Sequence, residues 1–378
     1  MNNKSEIILK DQSGPRHMEI IYYILSSIWI IAGILPFISN QHWIFRVWEF
    51  GRIQLFILHS LTLIFGLILV DEKDKFFWLV SLLNFTLSVY HAVVLFPYTT
   101  LYKKNPSNDV PKHSDSVSII SVNVYQFNES FQELIDLVKE VKPDVILTME
   151  SNQAWDDGMK VLEKDYPNFK KIPLENTYGM HFYTSLKVRD LKVNYFVADD
   201  LPSIEAELLT KDGNSFRLFG VHPPPPSPTE EDNSKERDGE LLSIAKRVTE
   251  DDGPVVVVGD FNNVAWAKSS ILFRKTSELI DPRIGRGFVS TFHAKYRLLR
   301  FPIDLFFHST DVFIEEFKTL RNINSDHLPL YCKFYINKVE SVQDEEVEVL
   351  EEEEHEEVEE MIEDGIEEES DRPVVAKE

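Results

Sequence analysis

A single cysteine in 378 residues, Cys332, rules out an intrachain disulfide, and with it any cysteine-based zinc cluster. Basic side chains are in short supply as well: 39 Lys and Arg face 63 Asp and Glu, for a formal net charge of −24. That deficit is local. Residues 339–378 hold 20 acidic and 2 basic residues, so this segment carries −18 and residues 1–338 only −6. The body of the chain is therefore not acidic enough to repel a polyanion. Three stretches have no charged residue at all, residues 20–39, 53–70 and 76–98, of 20, 18 and 23 residues. As helices rising about 1.5 Å per residue, each can cross roughly 30 Å of hydrocarbon. A cleaved signal peptide accounts for the first at most. The hydrophobic share of 43% excludes wholesale disorder.

These runs define a membrane anchor over residues 1–102, with Trp43, Trp48, Trp78, Tyr98 and Tyr102 near the ends of the three expected transmembrane helices, where interfacial aromatics sit. Lys4, Lys10, Arg16, Lys73 and Lys75 fall on one side of a three-span arrangement, Arg46, Arg52, Lys103, Lys104 and Lys112 on the other, which gives no charge bias. With the amino terminus in the cytoplasm, an odd number of spans places the remainder outside. The expectation is a multi-pass cell-membrane protein with an extracytoplasmic soluble domain. Residues 103–115 read as a linker and residues 116–338 as that domain. Within it, extended apolar runs at 116–124, 144–149, 205–209, 216–221, 254–259, 303–307 and 330–336 alternate with helical patterns at 129–141 and 241–248. Many strands with few helices indicate sheets packed on one another and covered by helices, an α/β domain. The Glu-rich segment 339–378 is expected to stay solvated and mostly disordered through self-repulsion.

Polar residues recur where apolar strands end. Asn123 closes one run, Glu150 the next, His222 a third, and Asp260 with Asn262 a fourth; Asp304 and the Ser325-Asp326-His327 triplet join them. A buried strand that ends in a polar residue delivers it to the rim of a sheet, where clefts form. Glu150, Asp326 and the Asn123 amide are hard oxygen ligands suited to Mg²⁺ or Mn²⁺. Such an ion polarises a phosphate oxygen as a Lewis acid. If residues 260–262 are extended, Asp260 and Asn262 share a face, one turned to an attacking water and the other to a nonbridging oxygen. His327 can take or orient the proton of that water, with Asp304 fixing its tautomer.

Asn123, Glu150, Gly259-Asp260-Phe261-Asn262, Asp304 after Pro302-Ile303, and Ser325-Asp326-His327 stand in the order and spacing of the endonuclease/exonuclease/phosphatase superfamily, which residues 113–338 resemble. The resemblance implies a four-layer αββα sandwich (DNase-I-like) and a divalent-metal phosphoesterase. Carried over by position, it makes Glu150 the principal metal ligand with Asn123 and Asp326 beside it. It makes Asp260 and Asn262 the groups that position nucleophile and phosphate, and His327 with Asp304 the acid/base dyad. His222 resembles the second catalytic histidine of the pancreatic-type deoxyribonucleases, neutral sphingomyelinases and inositol polyphosphate phosphatases. The stretches 178–183 and 263–266 are similar to those of membrane-anchored bacterial members. Leu305 and Phe306 depart from the His or Tyr that many members carry after the Asp.

Arg283, Arg286, Lys295, Arg297 and Arg300 lie in a stretch without Asp or Glu. Arg283, Arg286 and Arg297 are expected to hold substrate phosphates. That stretch puts nucleic-acid phosphodiesters first among substrates. A phospholipid or inositol phosphate comes second, because an anchor concentrates lipid headgroups at the cleft. A reading of another class, a catalytically inactive membrane scaffold with an acidic docking tail, would show erosion of the metal set, and none is visible.

Overall fold

The computed structural model describes residues 13–102, 115–338 and 343–370. The linker expected over residues 103–115 lies outside them except at its last residue. The chain forms two compact units, Met1–Asn40 with Ile44–Phe96, and Gln41–Trp43 with Pro97–Glu378.

The first unit holds helices α1 (Ser13–Ile34), α3 (Arg52–Leu69) and α4 (Lys75–Leu95), with a short helix α2 (Trp43–Phe50) between α1 and α3 that the hydropathy pattern did not announce. Three spans, His17–Phe37, Arg52–Leu69 and Lys75–Tyr98, are long and apolar enough to cross a membrane. Asp74 caps α4 by accepting the Phe77 N–H at 2.8 Å. The polar side chains turn inward: Tyr22 bonds Ser81 at 2.7 Å and His59 bonds Asn84 at 2.9 Å. Gly66 lets the Tyr22 ring in, since a Cβ there would sit 2.4 Å from it. Ile31, Leu61, Ile68 and Val93 are exposed instead. An apolar outside with polar side chains turned inward is the pattern that hydrocarbon imposes.

The second unit is built on two sheets. The six-stranded sheet runs β10 (Val312–Thr319), β11 (Leu330–Ile336), β1 (Val117–Asn123), β2 (Val145–Met149), β4 (Met180–Thr184), β3 (Asn168–Ile172). The five-stranded sheet runs β5 (Lys187–Asn194), β6 (Ser203–Leu209), β7 (Ser215–Val221), β8 (Val255–Asp260), β9 (Asp304–His308). Among the described strands, only β1/β2 and β7/β8 pair in parallel. Leu147, Phe182, Leu218, Val256, Phe306 and Phe334 share the buried core formed by inward faces of both sheets. Helices α5 (Phe131–Val141) and α6 (Gln153–Met159) bury Leu134, Val138, Trp155 and Met159 on the outside of the first sheet. Helices α7 (Lys235–Val248) and α8 (Lys268–Ser277) cover the second, with Phe273 of α8 packed on Phe261 and Phe307. The result is the four-layer αββα sandwich that the resemblance implied.

The acidic segment departs from the expectation of disorder. Glu352–Glu367 forms a helix, α9, with a capping box between Glu351 and Glu354. Val358 is buried against Leu242 and Leu272, with Leu350, Met361 and Ile362 around it. Self-repulsion is offset because the glutamates meet Lys235, Lys246, Lys268, Arg274 and Lys275 on α7 and α8. Residues 339–342 and 371–378 lie outside the described residues.

Candidate active site

Register brings the strand-end residues together. Asn123 sits opposite Met149 across β1/β2, so Glu150 emerges beside it. Asp260 sits opposite Asp304 across β8/β9, and Val221 opposite Gly259, which sets His222 next to Asp260. Gly259 makes that pairing possible: a Cβ there would lie 2.0 Å from the Val221 carbonyl oxygen. The two sheets meet at the Asn123 amide, which donates from Nδ2 to Glu150 Oε1 at 2.8 Å and to Asp260 Oδ2 at 3.1 Å.

Glu150, at φ 58°, also accepts the Gln126 N–H at 3.0 Å. Burial pushes its carboxyl up to about 7; those two hydrogen bonds and His327 pull against the rise, and the neighbouring Asp326 adds to it. His327 Nδ1 lies 2.8 Å from Asp304 Oδ2, and its Nε2 lies 3.5 Å from Asp260 Oδ2. Burial alone would lower the ring, but Asp304 and Asp260 outweigh it and push His327 up to about 10. His222 Nε2 lies 3.9 Å from the same Asp260 oxygen, and Tyr178 lies 5.6 Å away between ring centroids. With burial dominant, His222 falls to about 4. Asp260 is raised by burial and by Asp304, against the pull of both histidines. The two rings on Asp260 are thus pushed in opposite directions, His222 down by burial and His327 up by its two carboxylates.

Two expectations need correction. Asn262 is not on an extended segment: at φ 47° its N–H turns back to Asp260 Oδ1 at 2.9 Å and its Nδ2 donates to the Pro223 carbonyl at 2.9 Å. It braces the proline run against the Asp260 loop. Arg283 and Arg286 are engaged by the protein's own oxygens. Arg283 is fully buried, with Nε and Nη2 on the two carboxylate oxygens of Asp281 at 2.8 and 2.9 Å. Arg286 donates to the Pro282 carbonyl at 2.6 Å and to the Ile314 carbonyl at 3.3 Å. Arg283 closes the 281–286 loop over the Phe307 ring and Arg286 ties it to β10, whereas Arg297 is exposed. Gln126 and Arg237 escaped the sequence reading. Arg237, buried in α7, binds Asp238 through Nε at 2.9 Å and gives Nη1 to the Asn262 carbonyl at 3.2 Å. Neither has a sequence signal, because each acts through its place in the fold.

The carboxylates fit a divalent cation. Among the described residues neither Glu150 nor Asp326 pairs with a Lys or Arg, and Asp304 Oδ1 is buried without a partner. Charge left uncompensated in this way invites a hard cation. Asp260, Asp304 and His327 also present ligand-type atoms within 4.8 Å of one another. Coordination by Asn123 requires its amide to turn over, because Oδ1 now accepts the Tyr125 N–H at 2.9 Å.

Residues 120–327 match the family model described as "Endonuclease/Exonuclease/phosphatase family". No curated protein matches the sequence. Among solved structures, humanized D. rerio TDP2 aligns at TM-score 0.50 and 17% identity over 59% of this chain and 100% of that one. D. rerio TDP2 complexed with single strand DNA product aligns at 0.50 and 18% with the same coverage. The human Nocturnin catalytic domain with bound sulfate anion aligns at 0.49 and 17%, over 60% and 97%. At these identities the D. rerio structures establish a shared fold.

Proposed function

Since the chain belongs to the endonuclease/exonuclease/phosphatase family, whose members hydrolyse phosphoester bonds with a divalent metal, we propose that it is a membrane-anchored phosphoesterase working at the Asn123–Glu150–Asp260–His327 cluster. The observation that carries this reading is the Asn123 amide bridging Glu150 of one sheet and Asp260 of the other, with His222 and His327 both beside that Asp260 carboxylate. Glu150 and Asp326 would hold Mg²⁺ or Mn²⁺, which supplies Lewis-acid polarisation of a phosphate oxygen. Asp260, between two imidazoles, orients a water or phosphate oxygen. His327 faces the same point through Nε2 while Asp304 holds its Nδ1–H, and His222 approaches from the other side. Asn262 keeps the Asp260 loop closed on Pro223.

Burial of Arg283, and the engagement of Arg286 by the Pro282 and Ile314 carbonyls, remove much of the basis for ranking nucleic acid first. The rim favours an amphiphilic phosphoester instead. Phe127, four residues beyond Asn123, is 70% exposed. Leu298 and Leu299 are 88% and 55% exposed, beside Lys295 and Arg297. Their loop is tied to the cluster where the Ala294 N–H donates to the Asp326 carbonyl at 2.6 Å and Phe292 bridges to His327. Aliphatic tips ringed by basic residues suit a lipid surface better than a base stack. The extracytoplasmic placement expected from the span count belongs to the same proposal.

The test is the full-length protein in detergent with Mg²⁺ or Mn²⁺, assayed on plasmid DNA, RNA, phospholipid in mixed micelles and bis-p-nitrophenyl phosphate. Lipid turnover that Leu298→Asp with Leu299→Asp abolishes, with the soluble diester still hydrolysed, supports the lipid reading. Nicking without lipid turnover restores nucleic acid to first place, and no hydrolysis of any substrate refutes the enzyme.

A further inference from the structure

We propose that the acidic helix α9 is a salt-sensitive clamp that positions the Asp260–Asn262 loop by locking the first turn of α7. The inference rests on the reading that this loop handles the scissile phosphate. It extends that reading to a segment nearly a hundred residues away in sequence.

The two helices approach each other closely. A Cβ at Gly239 of α7 would lie 2.9 Å from Gly365 Cα, and one at Gly365 would lie 2.7 Å from the Lys235 carbonyl oxygen. The helices therefore meet backbone to backbone, at the turn that carries Arg237. Beyond α9, Glu368 accepts from Asn233 Nδ2 at 2.6 Å and from Lys235 Nζ at 2.7 Å, and Ser370 donates to Glu231 at 2.9 Å. The end of the tail thus fastens residues 231–235, which lead into α7. From there a short relay reaches the site. Ser234 donates to Asp238 Oδ2 at 2.6 Å, Asp238 Oδ1 holds the Arg237 guanidinium, and Arg237 Nη1 holds the Asn262 carbonyl. Asn262 in turn gives its N–H to Asp260 Oδ1. Arg237 acts through Asn262, which makes it a positioning residue.

What holds α9 down is partly electrostatic. Lys235, Lys246, Lys268, Arg274 and Lys275 all meet tail carboxylates, and most of these pairs are part-exposed, so salt screens them. The apolar contribution is small, centred on Val358 with Met361 and Ile362. A strap held by many weak, screened pairs over a narrow apolar seam can be released without unfolding the sandwich.

Gly365→Ala tests the clamp in the full-length protein. Ala ordinarily stabilises a helix interior over Gly, so any loss reports the α7–α9 contact and not the helix. Two readouts are taken: hydrogen exchange over residues 231–239 and 259–263, and turnover of bis-p-nitrophenyl phosphate. The variant should speed exchange in both segments and lower kcat about tenfold with KM within about twofold, the signature of lost positioning. Arg237→Lys should give the same loss, and the double variant should lose no more than either alone. High salt should reproduce the loss in the wild type and leave Gly365→Ala unchanged. Truncation before Glu351 should behave like Gly365→Ala. Unaltered exchange over 259–263 in both the truncated chain and Gly365→Ala, or additive losses in the double variant, overturns the clamp. If exchange responds as expected while neither the wild type nor any variant hydrolyses the diester, the clamp stands and the phosphoesterase reading falls.

Discussion

Glu240 offers a sharp test of the second unit's energetics, because it is a carboxylic acid buried on the inner side of α7 with no basic partner among its hydrogen bonds. Ser203 donates to Oε1 at 2.7 Å and the Val197 N–H to Oε2 at 3.2 Å. Burial pushes the carboxyl from 4.5 up to about 7 in spite of those bonds. At about 1.36 kcal/mol per pH unit, the displacement from 4.5 to about 7 corresponds to roughly 3 kcal/mol. Proton binding sets the sign. Below pH 4.5 both folded and unfolded chains hold the proton and Glu240 is neutral to stability. Between 4.5 and about 7 only the folded chain holds it, so stability falls as pH rises; above 7 the full cost is present. Glu240→Gln removes the charge and keeps the bonds, since the Ser203 hydroxyl can reverse and accept from the new amide. Thermal unfolding followed by tryptophan fluorescence should show matching transitions at pH 4.5, and at pH 8.5 the variant should melt roughly 6–12 °C higher, at about 2–4 °C per kcal/mol for a domain of this size. An equal offset at both pH values, or wild-type stability flat between them, would refute the assignment of a buried proton to this site.

Two other predictions follow from the site and its surroundings. Arg283→Ala leaves Asp281 buried and unpaired and should cost about 3–5 kcal/mol of stability, seen in thermal melts, with KM for the soluble diester unchanged in the surviving folded fraction; a raised KM with normal stability would reinstate it as a phosphate ligand. His222→Gln, which removes an imidazole 3.9 Å from Asp260, should lower kcat by about 10²- to 10⁴-fold with melting unaltered, and wild-type turnover would remove it from the site.

The sequence pattern was most legible where each residue carries its own signal. The three uncharged runs became three long helices, and the strand-end residues Asn123, Glu150, His222, Asp260, Asp304 and His327 converged because apolar runs fix strand ends and strand ends fix a rim. Elements with mixed faces were harder. β5 reads Lys-Val-Arg-Asp-Leu-Lys-Val-Asn and stands at a sheet edge, and β10 carries two glutamates across a bulge between Ile314 and Glu316. Neither presents the apolar run that marked the inner strands. Arg283 misled because a charge-counting window cannot see that Asp281, just outside it, folds back onto the guanidinium. The tail misled for the converse reason. Its composition is that of a disordered polyelectrolyte, yet Val358, Met361, Ile362 and Gly365 stand at helical spacing on one face. That spacing was the available signal, and periodicity outweighs composition once a basic partner surface exists.

The most direct measurement is a calorimetric Mn²⁺ titration of the full-length protein beside Glu150→Gln, with diester hydrolysis followed in the same samples. The account predicts saturable binding and turnover in the wild type, and loss of both in Glu150→Gln with its melting transition retained. Full binding and hydrolysis in Glu150→Gln would contradict it.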